Sequence, residues 1–150
     1  MSKLSTVKKI REFNRFYLPI LSLLDRKYLS SEYSVTDARI LFEISAMDNC
    51  NANSLVQSLH IDKSYLSRII KRFEKNGLIR RVTSADDLRV NVIYLTEYGE
   101  NVTQKLIKES DEQISQLINN LTNEDCEAIE NAMKTIEIIF SRKENQYENC

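Results

Sequence analysis

The sequence predicts a mainly α-helical protein with one small β-hairpin. Only two of its 150 residues are glycine and one is proline, although tight turns and bulges favour these residues. Apolar residues recur at spacings of three and four along most of the chain, which is the period of an amphipathic helix. Residues 78–95 differ, because two runs rich in β-branched residues flank a polar segment there, as in a hairpin.

Length and composition predict one domain with helical extensions. A chain of 150 residues can bury a core without disulfides or a metal. No apolar run approaches the roughly 20 residues of a membrane span, and the N-terminus lacks the apolar centre of a secretory signal. We therefore expect a cytoplasmic protein.

The cysteines and the single histidine predict no metal site and no cofactor. Cys50, Cys126 and Cys150 are too far apart for a CxxC pair, and His60 is the only histidine. In a reducing compartment the cysteines should be free thiols. The alternative is a redox switch at Cys50, which precedes a predicted helix whose positive end would lower the pKa of the thiol.

Residues 4–29 predict a long first helix. Its apolar residues follow the helical period and are Val7, Ile10, Phe13, Tyr17, Ile20, Leu21 and Leu24. Pro19 should kink this helix. Phe16 and Leu18 widen the apolar surface beyond one stripe, so the helix either packs outside its own domain or covers the local core.

Two shorter helices should follow. The segment SVTD at residues 34–37 resembles a capping box and predicts a helix that ends near Met47, where turn residues begin. Asn51 is a suitable N-cap for a helix over residues 52–59.

The next helix has defined signals at both ends. Asp62 is its N-cap, and Ile61 and Leu66 form a hydrophobic staple that fixes the angle at which the chain enters. The helix should end near Asn76, because Gly77 can adopt the left-handed conformation of a C-cap. Only about three residues separate it from the preceding helix, as in a helix-turn-helix.

The rest of the chain predicts a hairpin and two long helices. Strands over 78–82 and 90–95 flank the loop TSADDLR. Thr96 caps a helix over 97–119, and Thr122 caps a last helix. The residues expected to face inward are Val102, Leu106, Ile107, Ile114, Leu117 and Ile118 in the first of these helices and Ile129, Met133, Ile136, Ile139 and Phe140 in the second.

Positive charge is concentrated in one part of an acidic protein. The chain has 21 Lys and Arg residues and 22 Asp and Glu residues, for a formal net charge of −1. Residues 60–89 hold eight of the cations and four of the anions, so this segment carries +4 and the remainder −5. A local basic surface on an acidic body indicates one face that binds a polyanion.

The 62–76 helix has one apolar face and one basic face. At about 100° per residue, Leu66, Ile69, Ile70 and Phe73 form a core stripe. The opposite pole holds Ser64, Arg68, Lys71 and Lys75, with Arg72 and Tyr65 on one flank and Ser67 and Glu74 on the other. A solvated surface usually mixes both signs of charge, whereas this composition suits DNA, because Arg can bind guanine and Lys can neutralise phosphate.

A helix-turn-helix followed by a hairpin is a winged helix, and TSADDLR is then its wing. Arg89 would enter a minor groove, whose negative potential attracts Arg. Asp87 lies close enough to pair with Arg89 and aim it; the alternative is an ordinary exposed pair worth at most about 1 kcal/mol. Arg80 and Arg81 are consecutive in a strand and point to opposite faces, so only one of them should face DNA.

The order of these elements resembles the MarR (multiple antibiotic resistance regulator) family over most of the chain. The resemblance is strongest in SVTDARILFEIS, NSLVQSLHIDKSYLSRIIKRFEKNGLIRR and DDLRVNVIYLTEYG. The D-x-R element, followed by L-T at the family's spacing, is its most specific part. The resemblance implies a winged helix-turn-helix lobe over 33–96, flanked by N- and C-terminal dimerisation helices in 1–32 and 97–150.

The resemblance further implies a homodimer that binds double-stranded DNA and regulates transcription, in most cases as a repressor. Its recognition helices would enter successive major grooves of a pseudo-palindromic operator, about 10 bp apart. In the family a small, often aromatic, ligand commonly relieves repression. Its pocket would involve the first helix, the 36–47 helix and the start of the 97–119 helix.

The expected DNA-binding residues lie in three segments. Those matching family positions are Asn51 and Asn53 near the start of the 52–59 helix, Ser64, Tyr65, Ser67, Arg68, Lys71 and Arg72 in the recognition helix, and Asp87 and Arg89 in the wing. Lys63 and Lys75 join this set through their charge and place on the same helix. The family's peroxide-sensing branch carries a cysteine in its first helix, and residues 4–29 contain none.

Two other classes of protein compete with this interpretation. An enzyme is not expected, because the sequence has no nucleophile–base pair, no glycine-rich phosphate loop and no metal-ligand spacing. A winged helix that binds protein, or an anti-regulator that dimerises without binding DNA, should lack basic residues in its recognition helix. Those residues are present here.

Overall fold

A computed structural model describes the backbone of residues 2–28 and 32–147, and the side chains of these residues except 22–28 and 143–147. Cys150 and the side chain of Leu24 therefore lie outside the described part. The elements are α1 Lys3–Tyr28, α2 Val35–Ala46, α3 Ala52–Leu59, α4 Lys63–Lys75, β1 Ile79–Thr83, β2 Asn91–Leu95, α5 Glu97–Ile118 and α6 Asn123–Tyr147. The predicted fold class, mainly α with a small β-hairpin, is confirmed.

The chain divides into two compact units, Met1–Asp111 and Glu112–Cys150. The first unit contains a core built from α2, α3, α4, the hairpin and the first part of α5. Its buried apolar residues include Ile40, Leu41, Leu55, Leu66, Ile69, Ile70, Phe73, Leu78, Ile93 and Leu106. All four residues of the predicted α4 core stripe are among them, so the inner face of this helix is confirmed.

Side-chain caps fix where the helices of this unit begin. Ser34 and Asp37 form the predicted capping box, in which each side chain accepts the other's backbone N–H at 3.1 Å. Asn51 forms a second box with Ser54 at the start of α3. Asp62 caps α4 by accepting a backbone N–H from its first turn. Because these bonds satisfy N–H groups that a helix cannot pair internally, each helix starts at a defined residue.

Helix α4 ends in a left-handed glycine, as predicted. Gly77 has φ +75°, and the N–H of Leu78 donates to the carbonyl of Phe73 at 2.9 Å. Leu78 and Phe73 are both buried, so apolar packing stabilises the end of the helix together with this hydrogen bond. The chain passes directly from this turn into β1.

The hairpin contacts the segment before α3 and the start of α5. Strands β1 and β2 pair antiparallel, and the Ile93 N–H donates to the Cys50 carbonyl at 2.7 Å. Thr96 caps α5 as predicted, accepting the Gly99 N–H at 3.0 Å. A Cβ at Gly99 would lie 1.9 Å from the carbonyl oxygen of Leu78, so only glycine lets α5 begin this close to the hairpin.

The inward orientation predicted for α6 and for the second half of α5 is wrong for a single chain. Leu106 is buried, but Ile114, Leu117 and Ile118 are exposed. The expected inner residues of α6, which are Ile129, Met133, Ile136, Ile139 and Phe140, are all exposed as well. Helical spacing identifies an apolar stripe, but it does not say whether the same chain covers that stripe.

Helix α1 presents a comparable apolar surface. Val7, Ile10, Phe13 and Phe16 are all exposed, so α1 does not serve simply to cover the core of its own unit. The backbone remains helical through Pro19. Across the described residues, no helix combines the length and the apolar character that crossing a membrane requires.

Candidate nucleic-acid interface

The outer face of α4 is a continuous polar and basic surface. The predicted residues Lys63, Ser64, Tyr65, Ser67, Arg68, Lys71, Arg72 and Lys75 are all exposed on it. Ile61, which precedes the Asp62 cap, packs against the core cluster that contains Leu66. The cap, the staple and the buried stripe therefore hold the helix by one side and leave the other side open to a partner.

Arg68 has a defined neighbour on this outer face. Its guanidinium carbon lies 5.9 Å from the ring centroid of Tyr65, one turn earlier. Such a cation–π contact at an exposed site stabilises by about 0.5–1 kcal/mol. The contact favours one orientation of the Arg68 fork, the shape that can bind guanine through two hydrogen bonds.

Arg72 has a different environment from the one predicted. Its guanidinium forms an ion pair with Asp37, a residue of α2 that is only 4% exposed. The prediction included Arg72 among the DNA contacts because it matches a family position in the recognition helix, and the helical wheel placed it on a flank of the outer face. The wheel shows which side of α4 a residue occupies, but it does not show that a buried carboxylate of another helix lies within reach.

A second ion pair joins the end of α4 to the hairpin. Arg81 donates two hydrogen bonds to the Glu74 carboxylate, both at 2.8 Å. These bonds lower the pKa of Glu74 and raise that of Arg81. Arg80, on the other face of the strand, lies 4.6 Å from the ring centroid of Tyr94. The two arginines thus point to opposite faces, as the alternation of a strand predicts.

A cleft of about 260 Å³ brings together residues from the three predicted segments. Asn51 and Asn53 come from the start of α3, Lys63 from the start of α4, and Arg89 from the wing, while Arg81 comes from β1. With Asn91 of β2, three cations and three amides therefore meet in one concave surface beside α4. Such a surface is suited to phosphate oxygens.

The loop between β1 and β2, which is the predicted wing, is ordered by hydrogen bonds between residues close in sequence. The Ser84 N–H donates to the Val90 carbonyl at 2.8 Å and closes the loop. Asp87 accepts the backbone N–H of Arg89 at 3.0 Å. The predicted pairing of the Asp87 carboxylate with the Arg89 guanidinium does not occur in the described part of the chain. Asp87 shapes the turn, and the guanidinium stays exposed.

The structure argues against a reactive Cys50. The thiol is buried, and burial raises its pKa; a hydrogen bond with Ser54 lowers the pKa by less. The alternative of a thiol acidified by the start of α3 is therefore not supported, because burial, the largest cause, raises the pKa of Cys50. Cys126 is partly exposed and also free.

Tyr33 and Tyr98 meet where the sequence predicted an effector pocket. Tyr33 precedes α2 and Tyr98 lies in the first turn of α5, and their side chains are hydrogen-bonded. Burial, followed by this hydrogen bond, raises the pKa of Tyr33 to about 12. The Tyr33 hydroxyl is therefore neutral under ordinary conditions and can donate or accept a hydrogen bond.

Among the described residues, no three His, Cys, Asp or Glu side chains cluster as metal ligands. The polar groups at the outer pole of α4 and in the cleft are cations, hydroxyls and amides, which bind anions through charge and hydrogen bonds. The individual DNA contacts assigned to them from the sequence stay predictions.

Comparison with known proteins agrees with the resemblance to the MarR family. Residues 33–90 match the model of the MarR family. The chain is 32% identical over 89 residues to the HTH-type transcriptional regulator PapX of Escherichia coli, an alignment covering 59% of this chain and 54% of PapX. The chain thus spans about half the length of that relative. It is 25% identical over 145 residues to the uncharacterized HTH-type transcriptional regulator YsmB of Bacillus subtilis, covering 93% of this chain and 97% of YsmB.

A solved structure shares the fold. The chain is similar to a mutant of Escherichia coli MarR complexed with operator DNA, with a TM-score of 0.72 and 21% identity. The match covers 85% of this chain and 95% of that protein. At this identity the likeness shows the winged-helix fold alone.

Proposed function

We propose that this chain, which belongs to the MarR family through its domain over residues 33–90, is a transcriptional regulator that binds double-stranded DNA as a homodimer. The observation that carries the proposal is the outer face of α4. It is held in place by a buried apolar stripe and presents Arg68, Lys71 and Lys75 with serine hydroxyls between them. No acid interrupts this pole of the helix.

In this proposal the three parts of the basic surface, which are the outer face of α4, the cleft and the wing, bind different parts of the DNA. The outer face of α4 enters the major groove, where Arg68 is placed to bind a guanine and the hydroxyls to bind base edges or phosphates. Lys63 and the asparagines of the cleft bind backbone phosphate. Arg89, exposed on an ordered wing, enters the adjacent minor groove.

The dimer follows from exposed apolar surface. Each unit, taken by itself, leaves a stripe uncovered: α1 carries one in the first unit and α6 carries another in the second. Contiguous apolar patches of this kind are rare on monomeric proteins. We propose that the helices in 1–32 and 97–150 supply the dimer interface and that 33–96 is the DNA-binding lobe. The two copies of α4 would then bind half-sites about 10 bp apart.

We further propose that the regulator is a repressor and that a small aromatic ligand relieves repression. The Tyr33–Tyr98 pair supports a ligand site at the start of α2 and α5, because it offers hydroxyls beside apolar rings. The rival proposal, a winged helix that only binds protein, leaves the basic outer face of α4 without a partner.

Selection of bound DNA from a random double-stranded pool tests the proposal. The wild-type chain should enrich a pseudo-palindrome, and a variant carrying Arg68→Ala and Lys71→Ala should not. Lys105→Ala, which removes an exposed cation of α5, is the matched control and should enrich the same sequence. Repeating the selection with phenolic ligands tests relief. Failure of the wild-type chain to enrich any sequence would contradict the proposal.

A further inference from the structure

Arg72 and Asp37 link the recognition helix to α2 across 35 residues of sequence. One oxygen of the Asp37 carboxylate accepts from the Arg72 guanidinium, and the other accepts the Ser34 N–H at 3.1 Å. The Asp37 backbone N–H in turn donates to the Ser34 hydroxyl. Asp37 is therefore held at three points.

The two partners differ in their freedom to move. The Asp37 side chain is 6% exposed, and α2 is anchored in the core by Ile40 and Leu41. The Arg72 side chain is 52% exposed, and its guanidinium carbon also lies 5.6 Å from the ring centroid of Phe73. The Asp37 carboxylate therefore has a fixed position in the core. The ion pair restrains Arg72, and with it α4, relative to that carboxylate.

Arg72 is well placed to set the rotation of α4. It lies one turn after Arg68, on the same side of α4, and it flanks the outer pole that holds Lys71. A side chain tip lies about 5–6 Å from the helix axis, so a 20° rotation moves it by about 2 Å. A displacement of that size exceeds the tolerance of a hydrogen bond, whose donor–acceptor distance varies by only about 0.5 Å.

We propose that Asp37 is a positioning residue for DNA recognition: through Arg72 it fixes the rotation of α4 at which Arg68 and Lys71 meet the major groove. This inference rests on the proposed DNA-binding function. It assigns to Arg72 an internal role in place of a phosphate contact, and it gives a buried acid of α2 a role in reading sequence.

The substitution Asp37→Asn distinguishes a positioning residue from a merely nearby anion, because the two roles predict opposite changes in DNA affinity. Asparagine keeps nearly the same shape and an acceptor for the Ser34 N–H, but it loses the charge that holds Arg72. If Asp37 acts only as a nearby anion, removing it strengthens binding to all DNA. If it positions α4, affinity for the selected operator falls by about tenfold, comparable to losing one good base contact, while affinity for unrelated DNA does not fall.

Ser34→Ala is the matched control, because it removes the cap of α2 and leaves the Asp37–Arg72 pair in place. It should lower thermal stability, as Asp37→Asn does, yet keep the ratio of operator to non-specific affinity. If Asp37 only stabilises the fold, the ratio of operator to non-specific affinity should stay close to the wild-type value in both variants. A lower ratio in Asp37→Asn alone supports positioning.

The double variant with Asp37→Asn and Arg72→Met keeps the test open if Asp37→Asn alone fails to fold, since it removes both charges and leaves no buried carboxylate without a cation. Positioning predicts weaker operator binding with an unchanged salt dependence. A phosphate contact predicts weaker binding to all DNA and a salt slope reduced by about one per protomer, which would overturn the inference. Operator binding by Asp37→Asn equal to or tighter than wild type would overturn it too. Absence of any operator for the wild-type chain would instead contradict the proposed function itself.

Discussion

Helices α4 and α6 are both amphipathic, but only α4 buries its apolar face within the chain. The apolar stripe of α4 is covered by its own unit, with Phe73 only 1% exposed, and its polar face is left open. The described side chains of α6 are exposed on its apolar stripe as well as on its polar face, with Met133 46% exposed. The helical period predicts a stripe equally well in both cases. What differs is the covering partner, which belongs to the same chain for α4 and, in our proposal, to a second copy for α6.

This difference separates two kinds of surface that composition alone does not distinguish. On α4 the exposed face is basic and hydroxyl-rich, which suits a polyanion. On α6 the exposed stripe is apolar and its neighbours include Glu124, Glu127 and Glu130, which do not suit DNA. Substitutions on each surface should therefore affect different properties: DNA binding for the outer face of α4 and dimerisation for the stripe of α6.

The largest effect should come from placing a charge in the exposed stripe of α6. Met133→Glu would bury an unpaired carboxylate in each copy of the proposed interface, a change that costs about 3 kcal/mol or more. Dimerisation should weaken by about 100-fold or more. Analytical ultracentrifugation at micromolar concentration measures this directly.

The neighbouring variant Lys134→Ala is the control for Met133→Glu. It removes an exposed ion pair with Glu137 and should leave the dimer intact. A wild-type chain that sediments as a monomer would show that the stripe of α6 has no partner in solution.

The next effect concerns the inner face of α4. Phe73→Ala should lower the free energy of unfolding by about 3–5 kcal/mol, because the ring is fully buried. Lys71→Ala, on the outer face, should change it by less than about 0.5 kcal/mol and weaken DNA binding instead. Urea denaturation and a binding titration measure the two quantities. Equal loss of stability in both variants would show that α4 does not have one structural and one free face.

The wing should give the smallest effect. Arg89→Ala is expected to weaken DNA binding by roughly tenfold and to leave the unfolding temperature unchanged, because the guanidinium makes no contact that holds the described fold. Leu88→Ala is the control, since Leu88 is 82% exposed at the same loop and carries no charge. Fluorescence anisotropy with labelled operator compares them. Equal affinity of Arg89→Ala and wild type would remove the wing from the mechanism.

Features encoded within a few residues could be predicted from the sequence. The capping boxes, the Asp62 cap and the left-handed Gly77 each depend on neighbours at most a few positions away. The same holds for the apolar stripe of α4, which follows from helical spacing. These local signals were sufficient for the order and bounds of the elements.

Long-range partners could not be predicted in this way. The pair of Arg72 with Asp37 and that of Arg81 with Glu74 depend on how α2, α4 and β1 pack, which no local spacing encodes. One signal was nevertheless present. Asp37 lies on the same helical stripe as Leu41 and Ile44, and a carboxylate among core residues requires a cation. The burial of Cys50 likewise depends on packing, and it raises the pKa of the thiol, which opposes the redox alternative.

The dependence of DNA affinity on salt concentration measures how many phosphates the basic surface of the protein neutralises. If the outer face of α4, the cleft and the wing bind phosphates, the logarithm of the binding constant should fall linearly with the logarithm of salt concentration, by about 0.9 for each phosphate neutralised. With several cations in each protomer, the slope for the dimer should be about −4 or steeper. The variant with Arg68→Ala and Lys71→Ala should show a shallower line. A flat line for the wild-type chain would contradict the account.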